Sequence, residues 1–322
     1  MVTEVTGGAI TDVPGVLVGH ADDRHALTGC TVILVAGGAV GGIDVRGSAP
    51  GTRESFLLAP VALVDRVHAI CLCGGSAFGL DAACGVMTVL EERGVGFPVG
   101  PWRVPIVPAA VIFDLGIGDG RVRPGRAMGE AATRAARDGP VEEGNAGAGC
   151  GATVGKLAGI ERATKGGLGT CSIRCPDGLI VGALAVANAL GSVYDPTTGR
   201  RVAGPRRDDG AFLDDRELLA RRVVPEVAGE NTVLAVVATN ARLSKVETTK
   251  VAQMANDGLA RAVSPAHMMG DGDVVFALSA GAFVAGVDRV GALAADAIAT
   301  AIVRGVLAAR AAGRLPAASD VT

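Results

Sequence analysis

Aromatic side chains are nearly missing from this chain of 322 residues: one Trp, one Tyr and seven Phe, 3% in all. A core built without them must come from Val, Ala, Leu and Ile, and 48 glycines imply tight turns and close backbone approaches. Histidine is scarcer still, so histidine-based chemistry has four candidates: His20, His25, His68 and His267. A dominant charge is missing too. Net charge −3 and a pI near 5.9 leave no electrostatic footprint for nucleic acid. Mean hydropathy is +0.41, yet no run is long enough to span a bilayer. The longest, "LIVGALAVANALGSV", is about fifteen residues and contains Asn188. "MVTEVTGGAITDVPG" has no basic segment ahead of an apolar core, so a cytoplasmic protein is the expectation.

Seven cysteines, an odd number, point to reduced thiols rather than a disulfide framework. Cys71 and Cys73 alternate in "VHAICLCGG" and so share one strand face, where they read as small buried hydrophobes. Cys171 and Cys175 lack the second pair that a structural zinc site needs.

Length allows one large domain or two small ones; no repeat or low-complexity tract divides the chain. "TVILVA" and "HAICLCG" predict strands, followed by a helix over "LDAACGVMTVLEERG" that ends at Gly94. In "VPIVPAAVIFDL" the extended part starts after Pro108. A helix is expected from Arg126 to Asp138, and "GLIVGALAVANALG" predicts a buried strand apolar on both faces. Between about Pro196 and Arg222 the chain turns charged and rich in Gly and Pro, with a short helix near Leu213 to Arg221; this reads as a solvated excursion. A strand in "GENTVLAVVATN" follows. Next comes a helix whose Ser244 and Glu247 have capping-box spacing, then a strand in "DVVFALSAG" and a final helix. The class is α/β, with helices flanking sheet.

Three glycine-rich loops invite other readings. "GAGCGATVGKL" suggests a phosphate loop, but Cys150 stands where its first Gly belongs and Leu157 where magnesium needs Ser or Thr. "GGSAFGL" suggests a nucleophile elbow at Ser76, but its spacing is Gly-x-Ser-x-x-Gly. "HMMGDGD" offers His267, Asp271 and Asp273 as metal ligands, fewer oxygens than a hard cation usually gathers. The plainer reading is a turn, and a third is that the two carboxylates orient a catalytic group and adjust its pKa.

Taken together the segments carry a resemblance. "ITDVPGVLVGH", "GGIDVRGSAPGTRE", "CGGSAFGLDAACGV", "VPIVPAAVIFDL", "GAGCGATVGK", "LAVANALG", "GENTVLAVVATN" and "DGLARAVSPAHMMGDGDVVFAL" run from about residue 10 to 283. In that order they resemble the autoprocessing L-aminopeptidase/D-esterase family, with its β-peptidyl aminopeptidases and nylon-oligomer hydrolases. The resemblance implies an α/β/β/α sandwich like that of N-terminal-nucleophile hydrolases, with different connectivity. It implies one hydrolase domain, 1–322, cut before Thr232 into an α chain (1–231) and a β chain (232–322). Thr232 then matches the nucleophile, with Asn231–Thr232 as the scissile bond. Lys156 matches the family lysine beside it, Asn188 an asparagine lining the site, and Asp271 and Asp273 the acidic pair of the nylon-hydrolase branch. Phe113 stands at a substrate-facing position where several relatives have tyrosine.

No metal or cofactor is implied; the partners are a small peptide or amide and further copies of the chain, tetramers in the relatives. Without the resemblance, Thr232 reads as a strand residue, Asn188 as a buried hydrogen-bonding residue and Lys156 as a surface charge. With it, a terminal threonine supplies both hydroxyl and amine base. Three functions follow: an aminopeptidase acting on small peptides or amides, an endo-hydrolase of linear amide oligomers such as nylon fragments, and an inactive binding or structural protein of the same fold.

Overall fold

The computed structural model describes residues 7–221 and 230–321. The extreme N-terminus, Arg222 at the end of the charged excursion, and Gly229 leading into "GENTVLAVVATN" lie outside the described residues. Nine strands share one hydrogen-bonded sheet: β1 (Leu17–Asp23), β2 (Thr28–Val45), β3 (Thr52–Arg53), β4 (Arg66–Cys73), β5 (Ala109–Val111), β6 (Gly167–Arg174), β7 (Ile180–Asn188), β8 (Thr232–Ala241) and β9 (Val274–Phe283). Their order is β6-β7-β8-β9-β2-β4-β5-β3, with β1 on β2.

The sheet turns back on itself along β2, whose ladder to β4 breaks register between Leu34 and Ala39. Residues 28–34 lie between β1 and β4, while Val40–Val45 pairs with β9. The two halves therefore face each other. Ile33, Ile70 and Leu72 from one meet Leu184, Val186, Leu234, Val236 and Phe276 from the other in an interior layer. Helices close the outer faces. The α1 (Ala82–Glu92) and α2 (Arg126–Ala135) helices cover Cys30, Val32, Ala69 and Cys71. After the short α3 (Asp215–Ala220), α4 (Lys245–Ala262) and α5 (Val287–Ala308) cover Val233, Val237 and Val275. The result is the expected four-layer α/β/β/α sandwich.

Local chemistry accounts for the boundaries. The Ser244–Glu247 capping box opens α4, and Gly94 takes φ +67 just beyond α1. The α2 helix stops three residues short of the expected Asp138, because Arg137 exchanges backbone hydrogen bonds with Val18 on the edge of β1 (2.9 and 3.1 Å). The charged excursion is docked rather than loose. Residues Arg201–Ala203 pair with Ser192–Tyr194, and the Arg201 guanidinium donates to the Tyr194 hydroxyl (2.9 Å) and lies 3.4 Å from the Asp215 carboxylate. Contrary to the sequence expectation that no segment is long enough to span a bilayer, α5 is, among the described residues, one helix of sufficient length and hydropathy, because small apolar residues dominate its 22 positions; 67% of its apolar window is buried in the fold.

Candidate active site

Thr232 opens β8, a strand flanked on both sides, and faces Asn188 across the antiparallel ladder to β7. Lys156 reaches the same place from a loop. Gly155 turns that loop at φ +75, and a Cβ there would stand 2.3 Å from the Gly204 backbone, so only glycine fits. The Lys156 Nζ donates to the Asn188 carbonyl (3.0 Å), to Asn188 Oδ1 (3.1 Å) and to the Glu230 carbonyl (3.1 Å). The Asn188 Nδ2 donates to the Glu230 and Phe113 carbonyls, both at 3.3 Å. Its Oδ1 also accepts the Thr153 N–H at 3.0 Å.

The acidic pair arrives on a loop clamped by the segment after β2. Ala49 N–H donates to the Asp271 carbonyl (2.9 Å) and Arg46 N–H to that of Asp273 (3.1 Å). A Cβ on Gly47 would lie 2.3 Å from both Asp271 O and Asp273 N. That contact gives "GGIDVRGSAPGTRE" a structural purpose. Asp273 Oδ1 accepts the Val233 N–H at 2.8 Å, while Oδ2 accepts the His267 N–H at 3.1 Å and lies 2.9 Å from His267 Nδ1. Asp271 Oδ2 accepts the Met268 N–H at 2.8 Å, and its Oδ1 is buried without a hydrogen-bond partner.

The Asn231–Thr232 peptide lies at the centre of this group. The Thr232 hydroxyl donates to the Asn231 carbonyl at 2.5 Å, and that carbonyl also accepts the Gly272 N–H at 2.8 Å. A bridge between Asn231 and Asp271 holds the two segments side by side. All six residues, Lys156, Asn188, Asn231, Thr232, Asp271 and Asp273, are at most 8% exposed.

Burial sets the ionisation. Desolvation lowers Lys156 to about 7, against the pull of Asp271, Glu230 and Asp273. Three carbonyl acceptors suit an ammonium, so burial and hydrogen bonding oppose each other here. Desolvation, then repulsion from Asp273, raises Asp271 to about 6.

A cavity of about 240 Å³ adjoins Lys156 and Glu230, walled by Phe113, Leu115, Ile117 and Ile160. Gly116, Ile117 and Ile160 also line a neighbouring cavity of about 480 Å³, which ends at Glu161 and Arg314. The sequence-predicted residues are thus brought together, Phe113 as part of the cavity wall.

Sequence reasoning misses two contributors and the contact made by a third. Gly272 and Gly47 act through backbone, which leaves only a glycine between two aspartates and an unremarkable loop as signal. His267 was weighed as a metal ligand, whereas it contacts Asp273. Among the described residues, the one group of three metal-type ligand atoms within 4.8 Å of one another is Cys30, Cys71 and Cys73. Ser76 has an elbow-like φ of +53, but its hydroxyl makes no hydrogen bond to a histidine among the described residues.

The four-layer sandwich is a fold shared with solved aminopeptidase structures. The L-aminopeptidase D-Ala-esterase/amidase of Ochrobactrum anthropi, a variant of the Ntn hydrolase fold, superposes with a TM-score of 0.69 at 19% identity, over 94% of this chain and 86% of that one. The peptidase family S58 model matches residues 8–315, and the chain belongs to that family. It is 41% identical to an uncharacterized aminopeptidase of Mycobacterium leprae over 96% of this chain and 92% of the relative. It is 34% identical to the 6-aminohexanoate-oligomer endohydrolase of a Kocuria species, over 83% of this chain and 74% of that enzyme. The protein is a hydrolase.

Proposed function

We propose that the chain cuts itself between Asn231 and Thr232 and then works as an N-terminal-threonine aminopeptidase on small peptides or amides. The observation that carries this reading is the Thr232 hydroxyl lying 2.5 Å from the Asn231 carbonyl oxygen, which also accepts the Gly272 N–H. In the first step Thr232 Oγ1 bonds to the Asn231 carbonyl carbon, the C–N bond breaks, and the threonine nitrogen leaves as an amine. The hydroxyl proton goes to Asp271, whose raised pKa of about 6 and unpartnered Oδ1 suit a base near neutrality, and Asp271 passes it on to the departing threonine nitrogen. Gly272 N–H stabilises the oxyanion, and the Lys156 ammonium holds the adjoining Glu230 carbonyl. Water then hydrolyses the ester and releases Asn231 as a carboxylate.

Cutting also clears the site. In the uncut chain Lys156 and Asn188 both donate to Glu230, which lines the cavity, so the site is filled by its own chain. Departure of that segment frees both donors for a substrate carbonyl. The new Thr232 amine, with an ordinary pKa of about 7.7–8.0, becomes the base for turnover. The two chains stay together because β8 is hydrogen-bonded to β7 on one side and β9 on the other. No step draws on a cofactor or metal.

A second reading, endo-hydrolysis of linear amide oligomers, is favoured by the apolar wall of Phe113, Leu115, Ile117 and Ile160 and its continuation toward Arg314. That shape suits an unbranched chain.

Thr232→Ala tests the proposal. It should stay one folded, inactive chain, while Thr232→Ser should process and keep some hydrolysis. Cleavage or parental hydrolysis of an aminoacyl p-nitroanilide by a natively folded Thr232→Ala protein would overturn it. A processed parent that hydrolyses neither peptides nor oligomers would point to the binding-protein reading instead.

A further inference from the structure

One group of chemically reactive side chains takes no part in the proposed reaction. Cys30 on β2 pairs directly with Cys73 on β4, and Cys71 lies two residues along the same face. The Sγ atoms of Cys30 and Cys71 are 3.7 Å apart, those of Cys71 and Cys73 3.5 Å apart, and all three lie within 4.8 Å of one another. Each residue is at most 1% exposed, sealed beneath α1 by Ala82, Ala83 and Val86. We propose that Cys30, Cys71 and Cys73 form a three-sulfur site for a soft monovalent metal ion, for which Cu(I) is the probe.

The donor set argues for the class of ion. No carboxylate or imidazole belongs to the group, and purely thiolate ligation selects soft metals. Structural zinc takes four ligands in a tetrahedron, whereas this group supplies three. Sulfurs about 2.3 Å from a central ion, as metal–thiolate bonds run, stand about 4.0 Å apart in a trigonal plane. The observed separations of 3.5 and 3.7 Å need open by only a few tenths of an ångström. Two adjacent, fully paired strands hold the sulfurs, so the donors are fixed before an ion arrives.

Charge balance favours a monovalent ion. Cu(I) bound by two thiolates and one thiol carries a net charge of −1. Arg53 supplies the opposite charge: its guanidinium donates to Cys84 Sγ (3.0 Å) and Met87 Sδ (3.2 Å) on α1 and acts electrostatically on Cys71. Binding breaks two S–H bonds, forms two copper–thiolate bonds and one copper–thiol contact, and releases two protons to solvent. No atom changes oxidation state.

The test is an anaerobic Cu(I) titration of the full chain against a bidentate Cu(I) chelator. The parent should hold one ion per chain, with three sulfur neighbours in X-ray absorption at the copper edge. Cys71→Ala should lose that ion, and Cys175→Ala, altering a thiol outside the group, should keep it. Should Cys71→Ala fail to fold, Arg53→Gln leaves the three sulfurs in place and should weaken binding about tenfold through loss of the compensating charge. A parent that yields all its copper to the chelator, a Cys71→Ala protein that binds as the parent does, an Arg53→Gln protein with undiminished affinity, or a sulfur count other than three would overturn the proposal.

Discussion

Lys156 and Asp271 share a buried site in which neither keeps its ordinary ionisation. Self-cleavage, as proposed, needs Asp271 ionised and Lys156 charged. Asp271 is raised to about 6 and Lys156 lowered to about 7, so the ionised base is lost below the first value and the ammonium above the second. The processing rate, followed as loss of the full-length band, should therefore peak between about pH 6 and 7. Turnover by the cut enzyme, which on the same proposal uses the Thr232 amine, should instead rise toward about pH 8. A processing rate that climbs without limit above pH 8 would exclude the charged role of Lys156. Lys156→Ala should slow processing on the order of 100–1,000-fold, the usual cost of removing one electrostatic donor. The side chains of this site were legible in the sequence, because Thr232, Lys156, Asn188, Asp271 and Asp273 sit in segments of recognisable wording. Gly272 and Gly47 were not, because a backbone N–H and a missing Cβ leave no chemical mark on a sequence.

Individual elements were legible where local chemistry decides them, as at the Ser244 cap and the strand after Pro108. They were misjudged where distant backbone intervenes. Arg137 leaves α2 to pair with Val18, and Arg201 pulls a charged segment onto the fold. The turn of the sheet along β2 is another long-range feature. Gly42 on β2 lies against α4, and a Cβ there would stand 2.6 Å from the Thr248 and Thr249 backbone. Gly42→Ala must push helix and sheet apart, and should lower stability by about 1–3 kcal/mol in urea unfolding. A variant as stable as the parent would show that this contact has slack. Ser244→Ala, which removes the α4 cap hydrogen bonds, should cost about 1 kcal/mol.

For the molecule as a whole, burial of a charged side chain has an electrostatic consequence. Lys165, wholly buried, donates to the Gly149, Ala152 and Gly166 carbonyls, and desolvation lowers it to about 7. Between about pH 7 and 10.5 the unfolded chain holds a proton on this residue that the folded one lacks, so stability gains from this group as pH rises through that window. Lys165→Met should remove that share of the rise in urea midpoint between pH 7 and 9. An unchanged slope would contradict it. The sandwich would withstand the proposed cut, since hydrogen-bond ladders to β7 and β9 clasp β8 independently of the peptide bond before it. The most direct measurement of the central claim is the intact mass and N-terminal sequence of the purified protein. Two chains of about 23 and 9 kDa, scaled by length from 32.0 kDa, are expected, the smaller beginning Thr-Val-Leu-Ala, as an unmasked terminal nucleophile requires. A fully active protein of undivided mass would contradict it.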